Sequence, residues 1–371
     1  MIAIDTGEDL GAMDAALETL PNSPAVFLLW PAEGQPYLSK TGLLRRRLLR
    51  LLRERERPSR LLNLRHTVRR IEYRLTGSAL ESGIVLYELA REHFPETYLR
   101  LLKLRMPPYV KIVLSNEFPR TQVTAQLSGG TGKYFGPFRS RVAAERFDAA
   151  CLDLFQMRRC QEDLIPSPEH PGCMYGEMGM CLRPCQQVVG PAEYAGEVAR
   201  VVEFFETGGH SLLTASEHSR DRLSEEMRFE EAARQHKRCE KIQEALRLRD
   251  ELAADVDRLN GIAVTRSAAA NAVELWFVRE GNWLRPGQLS FEIQEGKPVS
   301  LDSKLRETLA NAAPRKLSRR ERQEYLAILS RWFYSSWRDG EWLAFEDYGS
   351  PPYRKLVNAI SRVVGGHLRQ A

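Results

Sequence analysis

Residues 20–47 read LPNSPAVFLLWPAEGQPYLSKTGLLRRR. The apolar run AVFLLW (25–30), bounded by Pro24 and Pro31, reads as a short buried strand. AEG makes a turn, and QPYLSK (35–40) is a second strand paired with the first. TGLLRRRLLRLL (41–52) spaces its leucines for one face of a helix and turns its arginines outward. Beyond it, RRIEYRL (69–75) is a third strand and SALESGIVLYELAREHF (78–94) a helix, with Ser78 as N-cap, Glu81 placed for a capping box and Pro95 past the end. The order ββαβα predicts a small α/β domain over 21–105 around a short antiparallel sheet, preceded by an acidic N-terminal extension, 1–20.

The 371-residue chain is long enough for two to four domains, and its 43 % hydrophobic content is that of a globular protein. No apolar run approaches the ~18–20 residues of a membrane span. The first residues are acidic and lack an apolar h-region, so no secretory signal is expected, and a cytoplasmic chain with reduced thiols is. The net charge of +5 hides an asymmetry. Residues 40–70 hold Lys40 and eleven arginines against Glu54 and Glu56, a local +10, which leaves the remainder at −5. With no lipid anchor visible, such an excess points to nucleic acid. Arg45, Arg46, Arg47 and Arg50 are the candidate phosphate contacts.

Further along, YVKIVLS (109–115) and TQVTAQLS (121–128) form a strand pair, followed by GGTGKYFGPF (129–138). The latter is not a phosphate loop of the Walker type, because Leu127 and Tyr134 stand where its first glycine and its hydroxyl residue belong. From Pro191 to Leu259 the pattern is helical, broken at ETGGH (206–210), and LSEEMRFEEAARQHKRCEKIQEAL (223–246) reads as two antiparallel helices turning at MRF. Strands resume at GIAVTRS (261–267) and in a hairpin over 272–293 with EGN as its turn. The last third is helical and aromatic-rich. The fold class is therefore α+β and multidomain: the α/β domain, a Cys-rich domain over 106–200, a helical hairpin over 210–252, and a mixed C-terminal region over 260–371 with a β-hairpin and helices.

In this order, the segment 20–47, KYFGPF (133–138), CMYGEMGMCLRPC (173–185) and FEEAA (229–233) resemble the N-terminal part of the UvrC excinuclease family of bacterial nucleotide excision repair. They are similar to its GIY-YIG opening, its Tyr-Phe-Gly-Pro motif, its Cys-rich stretch and its UVR motif. The resemblance covers roughly residues 20–260. It implies DNA as substrate and UvrB as partner, with no membrane and no small-molecule substrate. It also implies a GIY-YIG nuclease site, in which a helix glutamate holds one Mg²⁺ while tyrosines and an arginine position water and phosphate.

Carried over residue by residue, the second tyrosine of that site is Tyr37, the lysine Lys40 and the arginine Arg47. The first tyrosine has become Phe27, Ser39 replaces a glycine, Tyr98 replaces the terminal asparagine, and the metal-binding glutamate has become Leu86. Glu88 lies ~200° around the helix and Glu81 ~140°, so neither carboxylate shares the face of Leu86. The residues that do are Ser82, Gly83, Leu89 and Ala90. Catalytic Mg²⁺ is expected to be lost. After residue 294 no strand bearing Asp or Glu is expected, so the family's second, RNase H-like centre is expected to be missing too.

Cys160, Cys173, Cys181 and Cys185 are separated by twelve, seven and three residues. Four thiols without a tight C-x₂-C knuckle suit a [4Fe–4S] cluster, which the resemblance also implies; zinc and free thiols remain the alternatives. Cys151 and Cys239 read as packed small hydrophobes. Lys133 and Tyr134 are further candidates for DNA contact. In the hairpin, Met227, Phe229, Ala232 and Ala233 would meet UvrB, together with Leu223, Cys239, Ile242 and Leu246 on one apolar stripe. The rest of the chain is the other surface that could cover that stripe. Three functions follow: a UvrC-like protein that binds DNA and UvrB without cutting, an active 3′-incising nuclease, or an interaction module that needs only the hairpin.

Overall fold

The computed structural model describes residues 1–54, 62–291 and 300–365. Arg55, Glu56, Arg57 and Arg60 of the basic stretch, the last two residues of the 272–293 hairpin segment and the final six residues fall outside this set. Among the described residues no helix is long and apolar enough to cross a membrane.

The first unit begins with β1 (Ile2–Asp5) and α1 (Leu10–Thr19), continues through β2 (Ala25–Pro31), β3 (Tyr37–Thr41), α2 (Leu44–Leu52) and β4 (Val68–Leu75), and ends with α3 (Ala79–His93) and α4 (Tyr98–Leu102). Its antiparallel sheet has the order β1-β4-β2-β3. Residues 1–20 are thus no extension. β1 pairs with β4 from Ile2↔Tyr73 to Asp5↔Arg70, and α1, capped by Asp9, buries Met13 and Leu17 against α2. Side-chain alternation along β2 sorts the core. Ala25, Phe27 and Leu29 join the α1–α2 side, while Val26 and Leu28 join the α3 side. Ser78 caps α3 through the Glu81 amide at 3.1 Å, but the Glu81 carboxylate reaches back to the Gly77 amide at 2.7 Å.

The middle unit holds β5 (Tyr109–Val113), β6 (Arg120–Thr124), β7 (Lys133–Gly136), α5 (Arg141–Leu152), the one-turn α6 (Met174–Glu177) and α7 (Pro191–Glu206). The hairpin follows as α8 (His210–Glu225) and α9 (Phe229–Arg247). Helix ends there, earlier than the sequence pattern suggested, because β8 (Ala254–Asp255) returns to pair with β7 and complete the sheet β6-β5-β7-β8. The core of this unit is aromatic: Phe135 stacks on Phe147, with centroids 5.3 Å apart, and meets Phe138 and Phe205.

The last unit contains β9 (Gly261–Arg266), β10 (Ala272–Arg279), β11 (Asn282–Trp283), β12 (Gly287–Ser290), α10 (Leu301–Ala310), α11 (Arg319–Phe333), β13 (Gly340–Ala344) and α12 (Tyr353–Gly365). β11 and β12 both pair with β10, giving the expected hairpin, and β13 pairs antiparallel with β9. β13 corrects the expectation that no strand after 294 carries an acid, since Glu341 lies on it. That carboxylate is held by Arg362 through two 2.5 Å hydrogen bonds. The chain is accordingly α+β and multidomain. The units are joined through α11, which packs against α3 of the first unit: a Cβ on Gly83 would stand 3.5 Å from Ile328.

Candidate functional site

Cross-strand register decides which remnant residues meet. Phe27 pairs with Ser39 and Leu29 with Tyr37, so these face α2, where Arg47 donates a 3.4 Å hydrogen bond to the Tyr37 hydroxyl. Phe27 is fully buried, its ring centroid 6.2 Å from that of Tyr37. Lys40 pairs with Val26 and faces the other side of the sheet. There burial, then the nearby Arg331, holds its ammonium below the ordinary lysine value, with Asp339 opposing. Leu86 packs into the apolar cluster on that side too, among residues of α3, α4 and α11. Phe27, Tyr37 and Arg47 are therefore brought together, while Lys40 and Leu86 are not with them. The neighbouring acids are occupied: Glu88 accepts from Arg315 and Tyr325 at 2.9 Å, and Glu81 is buried.

The basic stretch divides as well. On α2, Leu44, Leu48, Leu51 and Leu52 are buried and Arg46 and Arg50 are exposed. Among the described residues no carboxylate lies in ion-pair reach of Arg45, Arg46 or Arg47. Further along, acids take up the charge: from the N-terminal segment Asp14 grips the buried Arg65 at 2.6 and 2.8 Å and Glu8 faces Arg69 at 3.7 Å, and on β4 Glu72 pairs with Arg70. The sequence count thus overstated the free positive charge. Lys133, half-exposed, pairs with Glu206, and Tyr134 is buried with its hydroxyl bonded to Ser128.

The four cysteines lie in one stitched loop. Burial pushes the Cys181 thiol up, and Cys160, Cys173 and Cys185 push it the same way; Cys185 is raised by burial, Cys160 and Cys173. The donor set is all thiol, and its mutual repulsion as thiolates is what a bound cation relieves. Among the described residues no three His, Cys, Asp or Glu side chains converge into a set that would hold a metal ion as they stand. Sequence reasoning missed the organiser of this loop. Arg158, 1 % exposed, donates to the carbonyls of Phe118 and Glu162 at 2.8 Å and to Cys160 Sγ at 3.3 Å. Its signal was the basic pair Arg158–Arg159 directly before Cys160. Cys151 and Cys239 are buried.

The hairpin stripe splits. Leu223, Ala232, Cys239 and Ile242 are buried, whereas Ala233 is exposed and Met227 and Phe229 at the tip are 78 % and 65 % exposed. Met227 adopts φ 58°, a left-handed conformation that costs a non-glycine residue energy. Among the described residues, the base of the stripe is covered and its tip is not.

Residues 108–204 match the family described as UvrC/Cho excinuclease, middle domain. Similar relatives include UvrABC system protein C of Lachnospira eligens, 26 % identical over 296 residues, which are 78 % of this chain and 48 % of the relative. That of Moorella thermoacetica is 27 % identical over 270 residues, 72 % and 44 %. That of Dehalococcoides mccartyi is 25 % identical over 366 residues, 96 % and 59 %. The chain spans about half the length of the curated relatives it matches. No solved structure matches it. The chain thus carries a middle domain that matches the UvrC/Cho excinuclease family, and over most of its length it is similar to UvrC proteins.

Proposed function

We propose that this chain works in nucleotide excision repair as a UvrC-like protein that binds DNA and UvrB and does not incise through its first domain. The observation that carries the reading is the separation of Leu86 from Phe27, Tyr37 and Arg47 by the sheet. A one-metal phosphodiester cleavage needs the carboxylate-held cation and the water-positioning groups on one phosphate. Here leucine occupies the glutamate position, and phenylalanine occupies one tyrosine position.

DNA binding falls to α2. Arg46 and Arg50 project to solvent from a helix whose leucines fix it to the core, and Arg45 and Arg47 flank them at half-burial. UvrB binding falls to the α8–α9 tip, where Phe229 and Met227 offer apolar surface that none of the described residues covers. Cys160, Cys173, Cys181 and Cys185 would hold a [4Fe–4S] cluster, with zinc as the alternative; either would serve as a structural cross-link of the loop beside the middle-unit core. Arg158 orients Cys160 for that role.

A nicking assay on supercoiled plasmid with Mg²⁺ or Mn²⁺ tests the reading. The expected result is no nicking above background together with salt-sensitive duplex binding that Arg46→Glu weakens. Metal-dependent nicking that disappears in Arg47→Ala would establish the active nuclease instead. Failure to bind DNA with or without UvrB would leave the hairpin as the working part.

A further inference from the structure

Between the Phe138–Arg139 turn and the loop joining α11 to β13 lies a groove of about 430 Å³, lined by Arg139, Glu251, Tyr334, Ser335, Ser336 and Arg338. Its walls are fixed. Tyr334 donates a 3.0 Å hydrogen bond across to the Pro137 carbonyl, and Asp250 holds Arg139 through both its side chain and its backbone amide, at 2.6 and 2.7 Å. Between the lining residues Ser336 and Arg338 the chain carries Trp337, 86 % exposed. Its amide donates to Ser335 Oγ at 3.2 Å, and the next amide, of Arg338, donates to the Ser335 carbonyl at 3.3 Å. The loop is thus a closed turn that presents the indole outward, while the Arg338 guanidinium lies 4.7 Å above the Phe333 ring.

Positive charge continues from the groove. Arg331, exposed on the last turn of α11, donates to the Leu102 carbonyl beside Lys103, and it acts electrostatically on Lys40. The nearby Asp339 carboxylate is engaged by the Trp332 indole at 2.9 Å and the Ala79 amide at 2.5 Å. A pre-shaped polar groove with cations on both walls and an outward aromatic ring combines the two features that hold single-stranded nucleic acid.

We propose that this groove binds DNA with an unpaired base, Trp337 stacking on the base while Arg338 and Arg139 meet the flanking phosphates. The proposal rests on the DNA-binding reading above and gives it a second, strand-selective surface, distinct from α2. Because every base has a π-face, the site selects unstacked DNA without selecting sequence.

The test is fluorescence anisotropy on the full chain with a labelled oligothymidylate and with a fully paired duplex of equal length. Trp337→Ala is expected to lower oligothymidylate affinity about 10-fold and leave duplex affinity unchanged, with Trp337→Phe keeping most of the binding. Arg338→Ala is expected to flatten the salt dependence on the oligothymidylate. Oligothymidylate binding unaltered by Trp337→Ala would overturn the groove. If Arg46→Glu still weakened duplex binding in that case, the α2 reading would survive; a chain that bound neither probe would lose both. A Trp337→Ala chain that lost UvrB and kept oligothymidylate would make the groove a protein site and also overturn the proposal.

Discussion

Glu324 on α11 accepts 2.6 Å hydrogen bonds from the hydroxyls of both Tyr87 and Tyr98, residues that lie 237 and 226 positions earlier in the chain. All three are buried, and Arg320, exposed, supplies the charge partner at 2.9 Å. Tyr98 stands where the resembled nuclease has an asparagine. In this chain that position ties the first unit to the last. Glu324→Ala strands two buried hydroxyls, each costing about 1–3 kcal/mol, so a loss of ~2–4 kcal/mol in urea denaturation is expected. Glu324→Gln keeps the shape and most of the bonding, and should cost about 1 kcal/mol. An alanine variant as stable as the parent would show that the two units do not depend on this contact.

The middle unit carries a carboxyl held out of its ordinary range. Burial pushes Asp148 up to about 6, against the opposing hydrogen bond from Thr121 at 3.1 Å and the charge of Arg159, and its buried Oδ1 has no hydrogen-bond partner among the described residues. A folded value above the unfolded 3.8 means that the native state binds this proton more tightly. Stability from this group is then greatest below about pH 4 and falls as pH rises through about 6. Asp148→Asn should therefore be more stable than the parent near pH 8, by about 1–2 kcal/mol, with the gap closing near pH 4. Chemical denaturation at the two pH values checks this; a gap that widened on acidification would contradict the assignment.

Much of the first unit was legible because its strands are apolar and bounded by prolines, and because leucine spacing marked α2. β1, IAID, was not, since its partner β4 lies some 70 residues on and four residues carry no period. β8 and β13 were missed for the same reason: AD and GEWLA are strands only because β7 and β9 offer them edges. The separation of Lys40 from Tyr37 was legible in principle, since an odd offset in a strand changes the face. Pairings such as Arg65 with Asp14 depend on tertiary approach, and no sequence pattern announced them.

The thiol loop is the natural target for metal removal. A [4Fe–4S] protein purified anaerobically is expected to be brown with about four irons per chain. Cys181→Ala should lose the colour and loosen residues 150–190, read as faster amide exchange there. Arg158→Ala should weaken metal retention while leaving all four thiols in place. A colourless chain with one zinc would assign the other metal, and a metal-free chain with unchanged exchange would remove the structural role.

The hairpin tip separates partner binding from internal packing. Phe229 is 65 % exposed and Met227 is held in a left-handed conformation beside it, so the chain spends conformational energy on presenting apolar surface to water. The buried part of the same stripe, Leu223, Ala232, Cys239 and Ile242, already holds α8 against α9 and the base of the hairpin against the middle unit. Truncating Phe229 removes none of that packing, so Phe229→Ala should leave the melting temperature and metal content unchanged. A buried aromatic at the centre of an interface commonly contributes ~2 kcal/mol or more, so UvrB binding should weaken at least ~30-fold. Ile242→Ala is the contrasting variant: it opens a core cavity costing about 2–5 kcal/mol and should lower stability first. Calorimetric titration with UvrB beside thermal melts of both variants decides the matter. A Phe229→Ala chain that binds UvrB normally, or that melts early like Ile242→Ala, would assign the tip to internal packing and remove UvrB as its partner.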